Sequence, residues 1–253
     1  MKKLTLVTGA TAGIGKATAI KFAENGYDLI LTGRRKDRLD ALKTELEKKY
    51  GIDVLTLNFD VRKREAVIHA LETLDERWKQ IDVLVNNAGL ALGLNPIQDG
   101  DFDDWDTMID TNIKGLLYMS KIVSGYMIER GRGHIINIGS IAGKEAYPNG
   151  NVYCATKHAV EGLTKTMRLD LFRQGIKVSQ IAPGAVETEF SKVRFKGDDG
   201  SAGKVYKGYQ PLLGEDIAES IYFVATQPAH VNINDLLIMP MQQANATTFD
   251  KKS

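Results

Sequence analysis

A phenol and an ammonium group lie four residues apart in the stretch NVYCATK, at Tyr153 and Lys157. The stretch has the pattern of a helix, in which residues i and i+4 lie one turn apart on the same face. A free phenol has a pKa of about 10, and a cation about 4 Å away contributes roughly 1 to 4 kcal/mol in favour of the phenolate. The spacing therefore predicts a tyrosine with a lowered pKa that acts as a general acid and base. The alternative is that the two side chains only share an exposed helical face.

The first turn of the chain has the composition of a phosphate-binding loop. The stretch TGATAGIGK covers residues 8–16 and follows a short apolar run. Glycines in such a turn let the backbone approach a pyrophosphate at the positively polarised start of a helix. The spacing GxxxGxG departs from the common GxGxxG, so the turn by itself is a weak signal. The predicted cofactor contacts are Gly9, Thr11, Ala12, Gly13, Ile14 and Gly15.

Two arginines stand where the second predicted strand ends, in LTGRR. Dinucleotide enzymes that prefer NAD usually place an acid near this point to bind the ribose 2′-hydroxyl. Arg34 and Arg35 instead suit a 2′-phosphate in charge and geometry, which predicts NADP as the cofactor. The alternative is a solvated cationic pair that leads into the next helix.

Polar and small residues follow the third and fourth predicted strands. Ligands of parallel sheets bind beyond the carboxyl ends of the strands, so these residues should meet the adenine and the nicotinamide ribose. The sequence NNAG could also form an ordinary turn, since Asn and Gly both tolerate positive φ. The predicted contacts are Asp60, Val61, Asn87, Ala88 and Gly89.

Short runs rich in β-branched residues alternate with longer segments of helical period. We predict strands at residues 4–8, 29–32, 54–58, 83–86, 134–138, 177–181 and 236–239, and helices at residues 14–25, 36–50, 63–79, 105–130, 152–174 and 215–226. This alternation predicts an α/β fold of Rossmann type, a doubly wound sheet of seven parallel strands with helices on both faces. The whole chain, residues 1–253, is predicted to be one domain. Residues 184–214 have no clear period and are predicted to form a lid-like segment.

Composition narrows the class of protein. The 253 residues are 43% hydrophobic and 26% charged with a formal net charge of +1, which argues against a nucleic-acid-binding or membrane-surface protein. The single cysteine, Cys154, excludes an internal disulfide and fits a reducing, cytoplasmic location. Cys154 has no histidine at a suitable spacing, so we interpret it as a packing residue. The four histidines form no metal-like cluster, and no metal is predicted.

Six motifs occur in the order and spacing of one family. TGATAGIG, Asp60, NNAG, Asn112, Ser140 and YCATK, followed by Pro183 and Gly184, resemble the classical short-chain dehydrogenase/reductase family over essentially the whole chain. Further segments look like the NADP-dependent 3-hydroxy acid dehydrogenases that act on serine, allo-threonine and related acids; they lie at residues 90–93, 106–115, 189–200 and 228–234.

The resemblance implies a role for each motif. Tyr153 would exchange the proton of the substrate hydroxyl, Lys157 would lower its pKa and bind the nicotinamide ribose, and Ser140 would hydrogen-bond the substrate oxygen. Asn112 would be linked to Lys157 through a water. Simpler structural alternatives are a strand-end cap for Ser140 and a helix kink for Asn112. Further cofactor contacts implied by the family are Pro183, Gly184, Val186 and Thr188.

The family also implies a homotetramer, assembled through the helices near residues 104–130 and 152–174 and through the last strand. More apolar residues lie on these helices than one core-facing stripe needs, which favours a second buried face. These residues are Leu116, Leu117, Ile122, Leu163, Met167 and Leu171.

A small 3-hydroxy acid requires a partner for its carboxylate, because a buried carboxylate must be paired. In an extended segment Lys192, Arg194 and Lys196 would share one side and could face the site. We predict that Arg194 binds the carboxylate, since its planar fork offers two donors. The alternative is that all three are solvated charges answered by Asp198 and Asp199.

Three functions fit the sequence. The first is oxidation of small 3-hydroxy acids with NADP, or reduction of the matching 3-oxo acids or semialdehydes. The second is another reductase of the same family, for a 3-oxoacyl thioester or a sugar ketone. The third is an NADP-binding regulator without turnover, which the intact Ser140, Tyr153 and Lys157 argue against.

Overall fold

The computed structural model describes residues 2–198, 200, 203 and 205–252. Its strands are β1 (Leu4–Thr8), β2 (Asp28–Gly33), β3 (Val54–Asn58), β4 (Val83–Asn86), β5 (Gly133–Ile138), β6 (Ile176–Pro183), β7 (Val186–Glu187), β8 (Leu212–Leu213) and β9 (Asp235–Ile238). Its α-helices are α1 (Gly13–Glu24), α2 (Lys36–Tyr50), α3 (Arg64–Glu72), α4 (Phe102–Ile109), α5 (Leu116–Arg130), α6 (Asn151–Leu171), α7 (Phe190–Arg194) and α8 (Gly214–Ala225).

The main sheet has seven parallel strands in the order β3-β2-β1-β4-β5-β6-β9. The order reverses direction between β1 and β4, and ligands of such sheets bind at this switch point, beyond the carboxyl ends of the strands. The predicted fold class is confirmed. The strand runs were legible because central parallel strands are buried on both faces and therefore read as continuous apolar segments.

Two apolar layers cover the sheet. Successive side chains of a strand point to opposite faces, so Leu4 and Leu6 of β1 pack on one layer and Val7 on the other. One layer joins the sheet to α3, α5 and α6, and the other joins it to α1, α2 and α8. On the second side α1 lies against α8, where the ring centres of Phe22 and Tyr222 are 5.4 Å apart.

Two predicted helices differ from the observed ones. The helix predicted at residues 63–79 ends at Glu72, and at its end the Thr73 hydroxyl donates to the His69 carbonyl (2.7 Å). The helix predicted at residues 105–130 is interrupted by a π-helical turn, Asp110–Gly115, between α4 and α5. A π-turn adds a residue without ending the helix, so the apolar period barely records it.

The segment predicted to lack regular structure contains short elements. Strands β7 and β8 pair in parallel as a small second sheet, and the five residues of α7 follow β7. Residues 199, 201, 202 and 204 lie outside the described residues. No helix within the described parts of the chain is long and apolar enough to span a membrane.

Candidate active site

The glycine-rich turn follows β1 and opens α1. Gly9 and Gly13 have φ values of +68° and +51°, which side-chain-bearing residues rarely adopt. A Cβ on Gly15 would collide with the Gly9 carbonyl and the Asn87 amide, so glycine is needed here for packing. Gly15 thus packs against the turn and the Asn87 amide, and its predicted contact with the cofactor stays a prediction.

A cleft of about 330 Å³ runs along the carboxyl edge of the sheet. Apart from Gly15, every predicted cofactor contact lines it, from the glycine-rich turn to the residues after β6. The cleft thus offers a tight turn at a helix start, basic residues beyond β2 and polar strand ends in one continuous surface. This donor set fits a phosphorylated dinucleotide.

The end of the cleft beyond β2 carries several arginines, and two of them form ion pairs with an acidic residue. Arg35 donates from Nε and Nη2 to the Thr11 hydroxyl (3.1 and 2.7 Å) and from Nη1 to Glu189 (2.8 Å). Arg38 also donates to Glu189, at 2.9 Å. Arg34 is exposed at the rim. The structure therefore pairs Arg35 and Arg38 with one carboxylate, and the binding of a 2′-phosphate by Arg34 and Arg35 stays a prediction.

Asp60 lies beyond β3 in the same cleft. Burial raises the pKa of its carboxyl, but hydrogen bonds from Arg62, one at 2.6 Å, lower it further than burial raises it. The group is therefore a carboxylate at neutral pH. It can accept a hydrogen bond from an amino group such as that of adenine.

Ser140 and Tyr153 meet at the other end of the cleft. Ser140 follows β5, and Tyr153 lies in the first turn of α6 with only 9% of its surface exposed. Lys157, one turn further along α6, donates from Nζ to the Ile138 carbonyl (2.9 Å). The structure thus brings the hydroxyl, phenol and ammonium groups to one wall of the cleft. This arrangement can bind an alcohol or carbonyl oxygen and transfer a proton to it.

The predicted lowering of the Tyr153 pKa is not found in the structure. Burial raises the pKa of the Tyr153 phenol and Tyr147 adds to this effect, while a hydrogen bond with Ser140 and the charge of Arg194 lower it. Burial also lowers the pKa of Lys157 to about 8, and Nζ lies 5.9 Å from the Tyr153 ring centre. The sequence argument counted the neighbouring charge but did not count the cost of burying both groups.

Asn112 lies in the π-turn, and both polar atoms of its side chain are hydrogen-bonded. Its Nδ2 donates to the Leu90 carbonyl (2.8 Å) and the Thr156 hydroxyl (3.0 Å), and Oδ1 accepts from the Leu90 amide (2.9 Å). A Cβ on Gly89 would lie 3.2 Å from Asn112 Oδ1 and 3.7 Å from Lys157 Nζ. Glycine therefore keeps a space open between the two groups. The predicted link from Asn112 to Lys157 through a water stays a prediction. The structural alternative, that Asn112 lies at a helix kink, agrees with its place in the π-turn.

Arg194 is the last residue of α7, and its side chain extends to Tyr153. Its guanidinium lies 5.2 Å from the ring centre of Tyr153 and donates to the Tyr147 hydroxyl (2.5 Å). The amide of Gly93 donates to its carbonyl (3.0 Å), which fixes this end of α7 on the loop after β4. A Cβ on Gly150 would overlap the Tyr147 ring, so glycine allows that ring to lie on the start of α6.

The other two cations of the segment do not share a side with Arg194, because residues 190–194 form a helix and not an extended strand. Lys196 pairs with Asp104 (2.9 Å) and Asp101 (3.4 Å). The charge of Lys196 is thus paired with α4 and its N-cap residue, whereas the alternative reading of the sequence paired it with Asp198 and Asp199. Asp199 lies outside the described residues.

Sequence reasoning missed Arg38, Tyr147 and Glu189. Arg38 carried a signal, since it lies in the first turn of α2, three residues after Arg35, which precedes the helix. Tyr147 and Glu189 carried none that we can identify, because each acts through residues distant in the chain, such as Arg35 and Glu189 at a separation of 154.

A family model described as short chain dehydrogenase matches residues 3–199. The chain is 54% identical over 244 residues, 96% of its length and 97% of the relative, to the NADP-dependent 3-hydroxy acid dehydrogenase of Salmonella typhimurium. It is 47% identical over 245 residues, 96% of both chains, to sulfoacetaldehyde reductase 2 of Chromohalobacter salexigens.

The fold is similar to the solved closed form of serine dehydrogenase complexed with NADP+. The TM-score is 0.91 and the identity 47%, and the match covers 99% of this chain and 100% of the other.

Proposed function

The chain belongs to the short chain dehydrogenase family, and from this premise we propose that it oxidises the 3-hydroxyl group of small 3-hydroxy acids with NADP, or reduces the matching 3-oxo acids. Serine, allo-threonine and 3-hydroxypropionate represent the substrate class. One observation carries the choice of an acid: the Arg194 guanidinium lies 5.2 Å from the Tyr153 ring centre. A cation so close to the phenol can hold the carboxylate of a substrate whose hydroxyl is at Tyr153.

The reaction divides among groups of this chain. NADP supplies a hydride acceptor at the nicotinamide, and NADPH supplies a donor. Ser140 orients the substrate oxygen, and Tyr153 accepts its proton in oxidation and returns it in reduction. Lys157 places its own ammonium group beside the phenol and can pass the proton towards the space next to Gly89. Asn112 holds that wall together through Leu90 and Thr156.

The cofactor contacts are proposed at the residues that line the cleft. The glycine-rich turn would hold the pyrophosphate, Arg34 and Arg35 the 2′-phosphate, and Asp60 with Val61 the adenine. On the nicotinamide side the contacts would be Asn87, Ala88, Gly89, Tyr153, Lys157, Pro183, Gly184, Val186 and Thr188.

A second candidate activity is the reduction of small aldehydes that carry a sulfonate. The similarity to sulfoacetaldehyde reductase 2 supports it. A sulfonate and a carboxylate are both compact anions, and the guanidinium of Arg194 can bind either through two donors. The alternative of a 3-oxoacyl thioester or a sugar ketone has no such support, because neither brings an anion next to the reacting carbon.

A substrate panel tests these proposals, with NADPH absorbance as the readout. We expect serine, allo-threonine, 3-hydroxypropionate and 3-hydroxyisobutyrate to be oxidised. The control is 1,3-propanediol, which has an alcohol in place of the carboxylate of 3-hydroxypropionate and should react poorly. Sulfoacetaldehyde is assayed in the reverse direction. Preference for the diol, or for an acyl thioester, would contradict an acid as substrate.

We also propose a homotetramer. Of the six apolar residues that favoured it, Leu117 is exposed, whereas Ile122, Met167 and Leu171 pack on the core. Support comes instead from large apolar side chains on α6 and the turn after it, on α8 and on β9, which remain exposed in the single chain. These are Leu169, Phe172, Phe223 and Leu237, with Met241 beyond β9. Such exposure is typical of surfaces that a partner covers.

Light scattering at micromolar concentration checks the assembly. We expect a mass four times that of the 27.9 kDa chain. A stable monomer would contradict the proposal.

We also propose a cytoplasmic location, because the one cysteine is free and buried, as suits a reducing compartment.

A further inference from the structure

Glu189 connects the segment that follows β6 to the basic end of the cleft. It immediately precedes α7, and its carboxylate accepts from Arg35 at 2.8 Å and from Arg38 at 2.9 and 3.1 Å. The hydrogen bonds from these arginines lower the pKa of the Glu189 carboxyl, so it is ionised at neutral pH. The residue lines both the main cleft and a second hollow beside Lys16 and Arg38.

The carboxylate occupies donors that a phosphate would need. Arg35 directs two of its donor nitrogens at Thr11 and its third at Glu189. A phosphate that binds Arg35 and Arg38 at this end of the cleft therefore shares these guanidinium groups with Glu189 or takes its place. A phosphate monoester carries a charge of about −1.5 to −2 at pH 7 and repels a carboxylate held beside it.

We propose that Glu189 is a specificity-determining residue, which weakens the binding of the cofactor 2′-phosphate by competing for Arg35 and Arg38. The proposal rests on the NADP dependence stated above. In this arrangement Arg34 and Arg35 provide the preference for a 2′-phosphate together with Arg38, and Glu189 limits its strength. The bound cofactor is then held less tightly than the cations alone would hold it.

Titration calorimetry with two adenosine nucleotides isolates this effect. Adenosine 2′,5′-bisphosphate and adenosine 5′-monophosphate differ only in the 2′-phosphate, so their affinity ratio measures its contribution. In Glu189→Gln we expect the bisphosphate to bind about three- to tenfold more tightly at low salt, because a like charge near the phosphate is lost. The gain should shrink at about 0.5 M salt, where exposed charges are screened. Binding of the monophosphate should stay unchanged.

Two controls keep the outcomes apart. Glu187→Gln removes the same charge two residues earlier, at an exposed position that does not line the cleft, and should leave the affinity ratio as it is. Arg35→Ala should lower bisphosphate affinity. If Glu189→Gln binds the bisphosphate as in the unmodified protein, or more weakly, Glu189 is not a competitor and the proposal is wrong. If the unmodified protein itself does not prefer the bisphosphate, the 2′-phosphate site and the NADP preference both fail.

Discussion

Replacing Tyr153 by phenylalanine should abolish turnover while leaving NADPH binding nearly intact. The phenylalanine ring can keep the packing against Phe190, whose ring centre lies 5.7 Å away, so only the proton-transferring oxygen is lost. Loss of general acid and base assistance typically costs about 10² to 10⁴ in rate. Single-turnover hydride transfer measures the chemical step, and fluorescence titration with NADPH measures binding.

Phe190→Leu serves as the control, since it changes the packing of the same ring but keeps the hydroxyl. A Tyr153→Phe rate above about a tenth of the unmodified rate would contradict the assigned role. In the unmodified protein, oxidation should speed up with rising pH, because Tyr153 must accept a proton. The apparent pKa belongs to the coupled Tyr153 and Lys157 pair.

Replacing Arg194 by alanine should lower kcat/KM for serine or 3-hydroxypropionate by roughly ten- to a hundredfold. This range corresponds to one lost charge-assisted hydrogen bond of about 1.5 to 3 kcal/mol. The guanidinium lies over the catalytic ring, so the loss should fall on acids and spare an uncharged alcohol of similar size. Steady-state kinetics with 3-hydroxypropionate and 1,3-propanediol make the comparison.

Arg194 also contacts Tyr147 and the loop at Gly93, so its removal is also expected to loosen the segment predicted to form a lid. Lys196→Ala is the matched control, because it removes a cation of the same segment that pairs with Asp101 and Asp104 away from the phenol. If Arg194→Ala reduces activity equally on acid and diol, Arg194 serves the lid and the carboxylate is bound elsewhere.

The strands of the main sheet could be predicted from the sequence, because strands that are buried on both faces are continuous runs of apolar residues. Strands β1, β3 and β4 have the predicted bounds, and β2, β5, β6 and β9 differ from them by one or two residues at one or both ends. The two-residue strands β7 and β8 were not predicted. Much of the candidate site follows from this, since ligands meet such sheets at the strand ends. The cofactor edge was therefore predictable from the order of the elements and a few polar residues beyond them.

Other features of the site were not legible. The short helix α7 is fixed by contacts to remote parts of the chain, such as that between Arg194 and Gly93, 101 residues apart. Nothing in the local pattern of residues 189–196 records those contacts, and the prediction that its three cations share one side assumed an extended segment. The pKa of Tyr153 was misjudged for a related reason: burial depends on what folds over the residue.

The packing of α8 on α1 has a consequence for synthesis on the ribosome. Phe22 and Ala19 of α1 belong to the same apolar cluster as Ile217, Ile221 and Val224 of α8. About 200 residues separate the two helices, which at roughly 5 to 20 residues per second is about 10 to 40 s of translation. During that interval the nascent nucleotide-binding half displays an uncovered apolar face to other chains and to chaperones. Completion of the last helix, and not of the glycine-rich turn, ends that exposure.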